Sequence, residues 1–204
     1  MGEKFLDKAY DLETPEQTRA LYDQWAASYD AEVGENGYAT PGRCAAALLK
    51  YLPDTTTPIL DFGCGTGLSG LALKLAGYST IDGLDPSPEM LEGARAKGLY
   101  RNLTQLDVAD ESPVPPGSYK AIAAIGVIGV GAAPLSTFDK LMRLLPKGGF
   151  MVFSYNDHAL ADPAFEAKIN EWVDCAAARL RCREYGDHLP AQNIKSNVYV
   201  IEKN

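Results

Sequence analysis

Basic charge, histidine and long apolar runs are what this 204-residue chain has least of. Lys and Arg number 19 against 27 Asp and Glu, for a net charge of −8. Neutralising nucleic-acid phosphates takes clustered Lys and Arg, and here they are spread thinly, so the balance argues against a nucleic-acid partner. Two histidines, His158 and His188, are too few for a histidine-rich metal site. Cys44, Cys64, Cys175 and Cys182 show neither metal-ligand spacing nor a disulfide framework, and they read as reduced thiols in a cytoplasmic setting. No apolar run reaches the roughly 18 residues that span a bilayer, so no membrane partner is expected. The longest run, residues 121–133, is broken by Gly and Ala and suits a buried strand plus a loop. The first eight residues are charged and lack a signal-peptide core. The remaining composition, 46% hydrophobic and 23% charged, is that of one globular domain large enough for a real core.

What is present is concentrated in residues 59–67, Ile-Leu-Asp-Phe-Gly-Cys-Gly-Thr-Gly. A short apolar run ends at Asp61, glycines follow at 63, 65 and 67, and an amphipathic run begins at Leu68. This is a strand, a tight turn and a helix start. Glycines there permit positive φ and let a ligand approach the backbone, and the helix N-terminus offers free N–H groups. Gly65, Gly67 and Gly70 also match G-x-G-x-x-G, the dinucleotide fingerprint. That fingerprint seats a pyrophosphate, which an acid at the strand end would repel. Asp61 instead suits a cationic group such as the ammonium of a methionine moiety. S-adenosylmethionine has that ammonium and a sulfonium, and no phosphate. The plainer reading of Asp61 is a turn carboxylate capping nearby N–H groups.

Two further strands end in acids. The run 79–84 leads to Asp85, at the place where nucleotide folds put an acid on the ribose hydroxyls. Ser87 then caps a helix that opens with Pro88 and Glu89, and Pro86, Ser87 and Met90 fall beside the ligand. The run 103–106 leads to Asp107, suited to an adenine amino group, with the N–H of Val108 or Ala109 for a ring nitrogen. Strands two and three lie side by side in a doubly wound sheet, so Asp85 and Asp107 share an edge.

The segments Asp61–Gly67, Ile81–Leu91 and Pro146–Gly149 resemble the consecutive motifs of class I S-adenosylmethionine-dependent methyltransferases. With Tyr22–Asp30, Gly65–Gly70 and Glu89–Tyr100 the chain is most similar to the Williams–Beuren-region methyltransferase-like proteins and their bacterial relatives. The resemblance covers about residues 20–155. It implies an α/β fold, a doubly wound, mostly parallel seven-stranded sheet with helices on both faces and an antiparallel last strand. It also implies S-adenosylmethionine as cofactor and an N-terminal lid over it. Residues 1–204 then form one methyltransferase domain. Its parts are lid helices in 1–45, a cofactor-binding core in 46–155 and a substrate-side segment in 156–204.

The residue pattern itself places strands near 58–62, 80–84, 103–106, 119–125, 149–154 and 196–202. Thr14-Pro15, Thr40-Pro41, Ser87-Pro88 and Asp162-Pro163 each read as an N-cap followed by proline at the first helical position. Thr14–Gln17 is also a capping box. Other helices are expected after Gly67 and Leu135, and residues 110–117 form a surface loop. Leu21, Tyr22, Trp25 and Tyr29 recur at helical spacing. They fit either an apolar stripe on the core or, for Tyr22, Trp25 and Tyr29, a cofactor or pocket role. The expected cofactor set is completed by Gly63, Cys64, Gly65, Thr66, Gly67 and Leu68 in the turn, and by Gly126 and Val127 after the fourth strand.

The Gly126–Val130 loop lacks an Asn/Asp-Pro-Pro-aromatic motif, a cysteine nucleophile and paired acids. A small apolar wall suits a small-molecule acceptor. Methyl transfer is an in-line displacement in which orientation and exclusion of water supply most of the acceleration. A base is needed only where the acceptor must lose a proton. His158 is one candidate for it and Tyr155 another, both following the fifth strand, with a solvent-facing loop histidine as the plainer reading of His158. A nicotinamide dehydrogenase and a non-catalytic cofactor-binding partner protein remain as alternatives.

Overall fold

A computed structural model describes residues 15–204. The chain runs α1 (Pro15–Trp25), α2 (Tyr29–Glu35), α3 (Thr40–Tyr51), β1 (Ile59–Phe62), α4 (Leu68–Leu75), β2 (Ile81–Asp85), α5 (Pro88–Lys97) and β3 (Asn102–Gln105). It continues with β4 (Ala121–Ala124), α6 (Ser136–Leu144), β5 (Phe150–Asn156), α7 (Asp157–Leu160), α8 (Pro163–Asp174), β6 (Ala178–Leu189), a 3-10 turn (Pro190–Gln192) and β7 (Ile194–Lys203). The seven strands form one sheet in the order β3-β2-β1-β4-β5-β7-β6. β1 to β5 are parallel, and β7 pairs antiparallel with both β5 and β6.

The central strands are buried on both faces, as parallel strands under helices must be. Alternate residues feed two cores. Leu60, Ile122, Met151, Phe153, Tyr199 and Ile201 face α6 and α8, while Ile59, Ile81, Ala121, Val152 and Val200 face α3 and α4. On the first face Phe153 stacks on Tyr199 with centroids 4.9 Å apart, and Phe138 meets Phe153 edge-on at 5.3 Å. Such pairs add about 0.5–1.5 kcal/mol each beyond their buried area. A third small core, Trp25, Val33 and Leu189, seats α1 and α2 on the end of β6.

Two expected helix caps hold. Ser87 Oγ accepts from the Met90 N–H at 3.0 Å, and Asp162 Oδ1 accepts from the Ala164 N–H at 2.9 Å. Thr40 does not cap: α3 begins at Thr40 itself, and its hydroxyl is turned to the buried pair His188 and Ser196. Thr14, the expected cap and capping-box residue of α1, lies outside the described residues. The residue pattern located six strands and missed β6. Its burial pattern explains the omission: only Ala178, His188 and Leu189 are buried along twelve residues, so the strand carries little apolar signal.

Candidate functional site

β1 and β4 are neighbours whose connections leave in opposite directions, which makes the crevice at their C-terminal ends the ligand site of an open α/β sheet. A cavity of about 830 Å³ opens there. It is lined by the turn residues Gly63, Cys64, Gly65, Thr66 and Leu68, by Asp85, Pro86, Ser87 and Met90, by Asp107, Val108 and Ala109, by Gly126 and Val127, and by Tyr22 of α1 and Tyr29 of α2. The sequence thus brought most of its expected residues to one wall.

The three turn glycines differ in why they are glycine. All have positive φ. A Cβ on Gly63 would lie 2.6 Å from Val127 Cγ2, so this glycine admits the β4 loop. A Cβ on Gly67 would press on the Tyr100 ring at 3.2 Å. A Cβ on Gly65 would meet no atom within 4 Å; the space above it belongs to the cavity. Gly70, third in the dinucleotide match, packs instead against Tyr100, whose hydroxyl accepts from the Gly70 N–H at 3.1 Å. The Gly65 N–H donates to Asp85 Oδ2 at 2.8 Å. A turn whose Gly65 N–H is taken by a carboxylate, with a second carboxylate beneath it, repels a pyrophosphate and attracts a cation.

Asp85 is 7% exposed, and its other oxygen accepts from the Ser87 N–H at 2.9 Å. A carboxylate has about four lone-pair directions, so two remain for a ligand's hydroxyls. Burial raises its pKa to about 6. Asp61 is fully buried beneath the turn and off the cavity wall. Its Oδ2 accepts from Ser69 Oγ at 2.6 Å and from the Tyr100 hydroxyl at 2.7 Å, while Oδ1 is buried with no hydrogen-bond partner. Burial raises this pKa as well, to about 6. An orphaned carboxylate oxygen under Ser69, which itself lines the cavity, is an electrostatic fit for a cationic ligand.

At the opposite end Asp107 is exposed, and its Oδ1 accepts from the Ala109 N–H at 2.9 Å. Of the two expected backbone donors, Ala109 is therefore occupied, and the Val108 N–H is the open one.

Other expected residues fall elsewhere. Trp25 is 1% exposed in the lid core, with Nε1 donating to Glu32 at 2.7 Å; it reaches only a smaller chamber. Neither base candidate lines this cavity or the smaller chamber. His158 is exposed on α7. Tyr155 is fully buried between Phe153, Phe165 and Tyr199, its hydroxyl unpartnered and its pKa pushed up by burial. β5 alternates faces, and Tyr155 falls on the face that points away from the site.

The smaller chamber, about 70 Å³, shares Tyr22, Tyr29, Tyr38, Gly126 and Ala132 with the larger cavity and adds Ser154, Asn156 and His188. Sequence reading missed Tyr38 and His188. Tyr38 is signalled only by the glycine it needs: a Cβ on Gly126, at φ +70°, would lie 2.5 Å from the Tyr38 hydroxyl. α2 is tied to the glycine turn and to α5 by Asp30, which accepts from Thr66 Oγ1 and pairs with Lys97 Nζ, both at 2.5 Å.

A family model described as a methyltransferase domain matches residues 37–196. Human methyltransferase-like protein 27 is 35% identical over 131 residues, 63% of this chain and 54% of that protein. A trans-aconitate 2-methyltransferase of Rhizobium rhizogenes is 31% identical over 162 residues, 76% of this chain and 61% of that protein. The chain thus spans between half and two thirds of the length of these relatives. Among solved structures, a Haloferax volcanii methyltransferase in complex with the Trm112 methyltransferase activator superposes with TM-score 0.68 at 19% identity, covering 91% of this chain and 97% of that one. With a crevice at the β1/β4 switch, an acid-lined glycine turn and a family match over most of its length, the chain belongs to the class I S-adenosylmethionine-dependent methyltransferases.

Proposed function

We propose that this domain transfers a methyl group from S-adenosylmethionine to a small-molecule acceptor. The observation that carries the reading is the pair of adjoining spaces. One is long, open and acid-lined; the other is small, and five of its wall residues also line the first. In this reading Asp85 takes the ribose hydroxyls, and Asp107 with the Val108 N–H takes the adenine. Asp61 and the turn 63–68 favour the methionine ammonium and the sulfonium. Tyr22 and Tyr29 cover the cofactor. The methyl then points past Gly126 and Val127 into the chamber, where the acceptor sits.

The cofactor supplies an activated methyl on a charged sulfur. The protein's contribution is alignment and exclusion of water, which suits a chamber walled by the aromatic residues Tyr22, Trp25 and Tyr29. The size of that chamber and the net charge of −8 support a small acceptor over a nucleic acid. Among the described residues no helix is long and apolar enough to cross a membrane. A cytoplasmic setting belongs to the same reading, supported by four free thiols. So does the division into a lid in 1–45, a cofactor core in 46–155 and a substrate-side segment in 156–204.

Calorimetric titration tests it. S-adenosylmethionine and S-adenosylhomocysteine should bind in the micromolar range and NAD and NADP should not; binding of a nicotinamide cofactor alone refutes the assignment.

A further inference from the structure

The smaller chamber holds a nitrogen that cofactor binding leaves unused. His188 is 7% exposed and lies on the chamber wall. Its Nδ1 is 2.8 Å from Thr40 Oγ1, and no hydrogen bond from its Nε2 is made among the described residues. Tyr38 meets the imidazole edge-on, with centroids 5.2 Å apart, and fixes the ring plane. Behind the ring, Thr40 Oγ1 lies 2.9 Å from Ser196 Oγ, which accepts from Arg43 Nη1 at 3.1 Å. A guanidinium only donates, and the serine oxygen keeps a lone pair for Thr40. The chain Nδ1–H to Thr40 and Thr40 O–H to Ser196 is therefore available, and it leaves the Nε2 lone pair facing the chamber.

Given the methyl-transfer reading above, on which this rests, we propose that the acceptor's nucleophile is a protonated heteroatom, a hydroxyl or N–H, and that His188 Nε2 takes its proton. The heteroatom's lone pair forms the bond to the methyl carbon. The carbon–sulfur bond breaks and leaves its electron pair on sulfur, which becomes a neutral thioether. The heteroatom's proton passes to Nε2 while the electrons of that bond stay on the heteroatom. One positive charge thus moves from sulfonium to imidazolium, and water takes the proton after release. Thr40 acts as a positioning residue.

The surroundings keep the ring neutral beforehand. Burial lowers its pKa to about 4, Arg43 and His158 push in the same direction, and Asp157 opposes them. Tyr38, Tyr22 and Tyr29 face the same chamber. A base this weak is sufficient when it acts late. A heteroatom gaining a methyl becomes strongly acidic, and discharge of the sulfonium removes a repulsion on the incoming proton.

The test begins on the free protein. With two histidines in the chain, histidine-labelled ¹⁵N spectra are assignable with His158→Asn. A neutral Nδ1–H tautomer of His188 between pH 6 and 8 is expected; an Nε2–H tautomer or an imidazolium there overturns the proposal. Labelled methyl from S-adenosylmethionine is then offered to phenols, alcohols, N–H heterocycles and carboxylates. Product is expected on the protic compounds. His188→Asn should lower kcat about 100-fold or more with cofactor Kd within threefold. Thr40→Val should shift the tautomer and slow transfer, with Thr40→Ser restoring both. Wild-type kcat in His188→Asn, or methylation of carboxylates alone, overturns it. Failure of the cofactor reading appears separately, as absent calorimetric binding.

Discussion

The two sides of the strand-order switch are built by different rules. On the β1–β3 side each ligand-facing group comes from a few consecutive residues: an apolar strand, an acid at its end, a turn or a capped helix after it. On the β5–β7 side the chamber is assembled from distant segments, with Thr40 meeting His188 across 148 positions and Ser196 across 156. On the proposed reading the first side holds a cofactor whose shape never varies, so local motifs suffice, and the second fits one acceptor with a wall made by tertiary packing.

That contrast can be broken experimentally. The largest effect is expected at Asp85. Asp85→Ala removes the charged acceptor of two backbone N–H groups and, on the proposed reading, of the cofactor's hydroxyls; calorimetry should show affinity weakened at least tenfold, in line with about 1.5–3 kcal/mol for a charged hydrogen bond. Next come the glycines. Gly65→Ala should also cost about tenfold in affinity, with a stability loss limited to the left-handed backbone, about 1 kcal/mol. Gly63→Ala should instead show its main loss in thermal unfolding, because its Cβ strikes Val127. Equal thermal losses in the two variants would abolish the distinction drawn between them.

Acidity should act on the cofactor side. Asp61 and Asp85 both have folded pKa values raised from 3.8 to about 6. Their contribution to the stability of the unliganded protein is therefore greatest below pH 4 and is lost as pH rises through 6. Binding of a cation runs the other way, since it needs the ionised carboxylates. Affinity for S-adenosylmethionine should fall about tenfold between pH 7 and 5, and a flat profile would remove both acids from recognition. A smaller effect is expected on the opposite sheet face. Tyr155→Phe deletes an orphaned buried hydroxyl and should raise unfolding free energy by about 1 kcal/mol without changing transfer; lost activity would return Tyr155 to the site. The least is expected of Asp30→Ala. Its partly exposed pair with Lys97 is worth under about 1 kcal/mol, seen as a severalfold faster cofactor release in stopped flow.

The same division explains what the sequence could convey. The glycine turn, Asp85, the Ser87 cap and Asp107 were legible because each depends on backbone geometry written within a few residues. Asp61 was legible as an acid, but its depth was not: Ser69 and Tyr100, which close over it, come from α4 and from the loop after α5. β6 was illegible because one of its faces is open to solvent and its register is set by β7. His188 carried no local signal, because its partner Thr40 lies 148 positions away and meets it only through the packing of β6 on α3. His158 and Tyr155 were chosen for nearness in sequence to the end of β5, where one residue of register decides the face.

Asp30 holds α2 by grasping Thr66 of the cofactor turn and Lys97 at the end of α5. The helix is therefore clasped to the glycine turn and to α5 as well as seated on the end of β6. In kinetic language this clasp belongs to residence time. On the proposed reading, the time a molecule stays in the crevice is set in part by how long this one carboxylate keeps both of its partners.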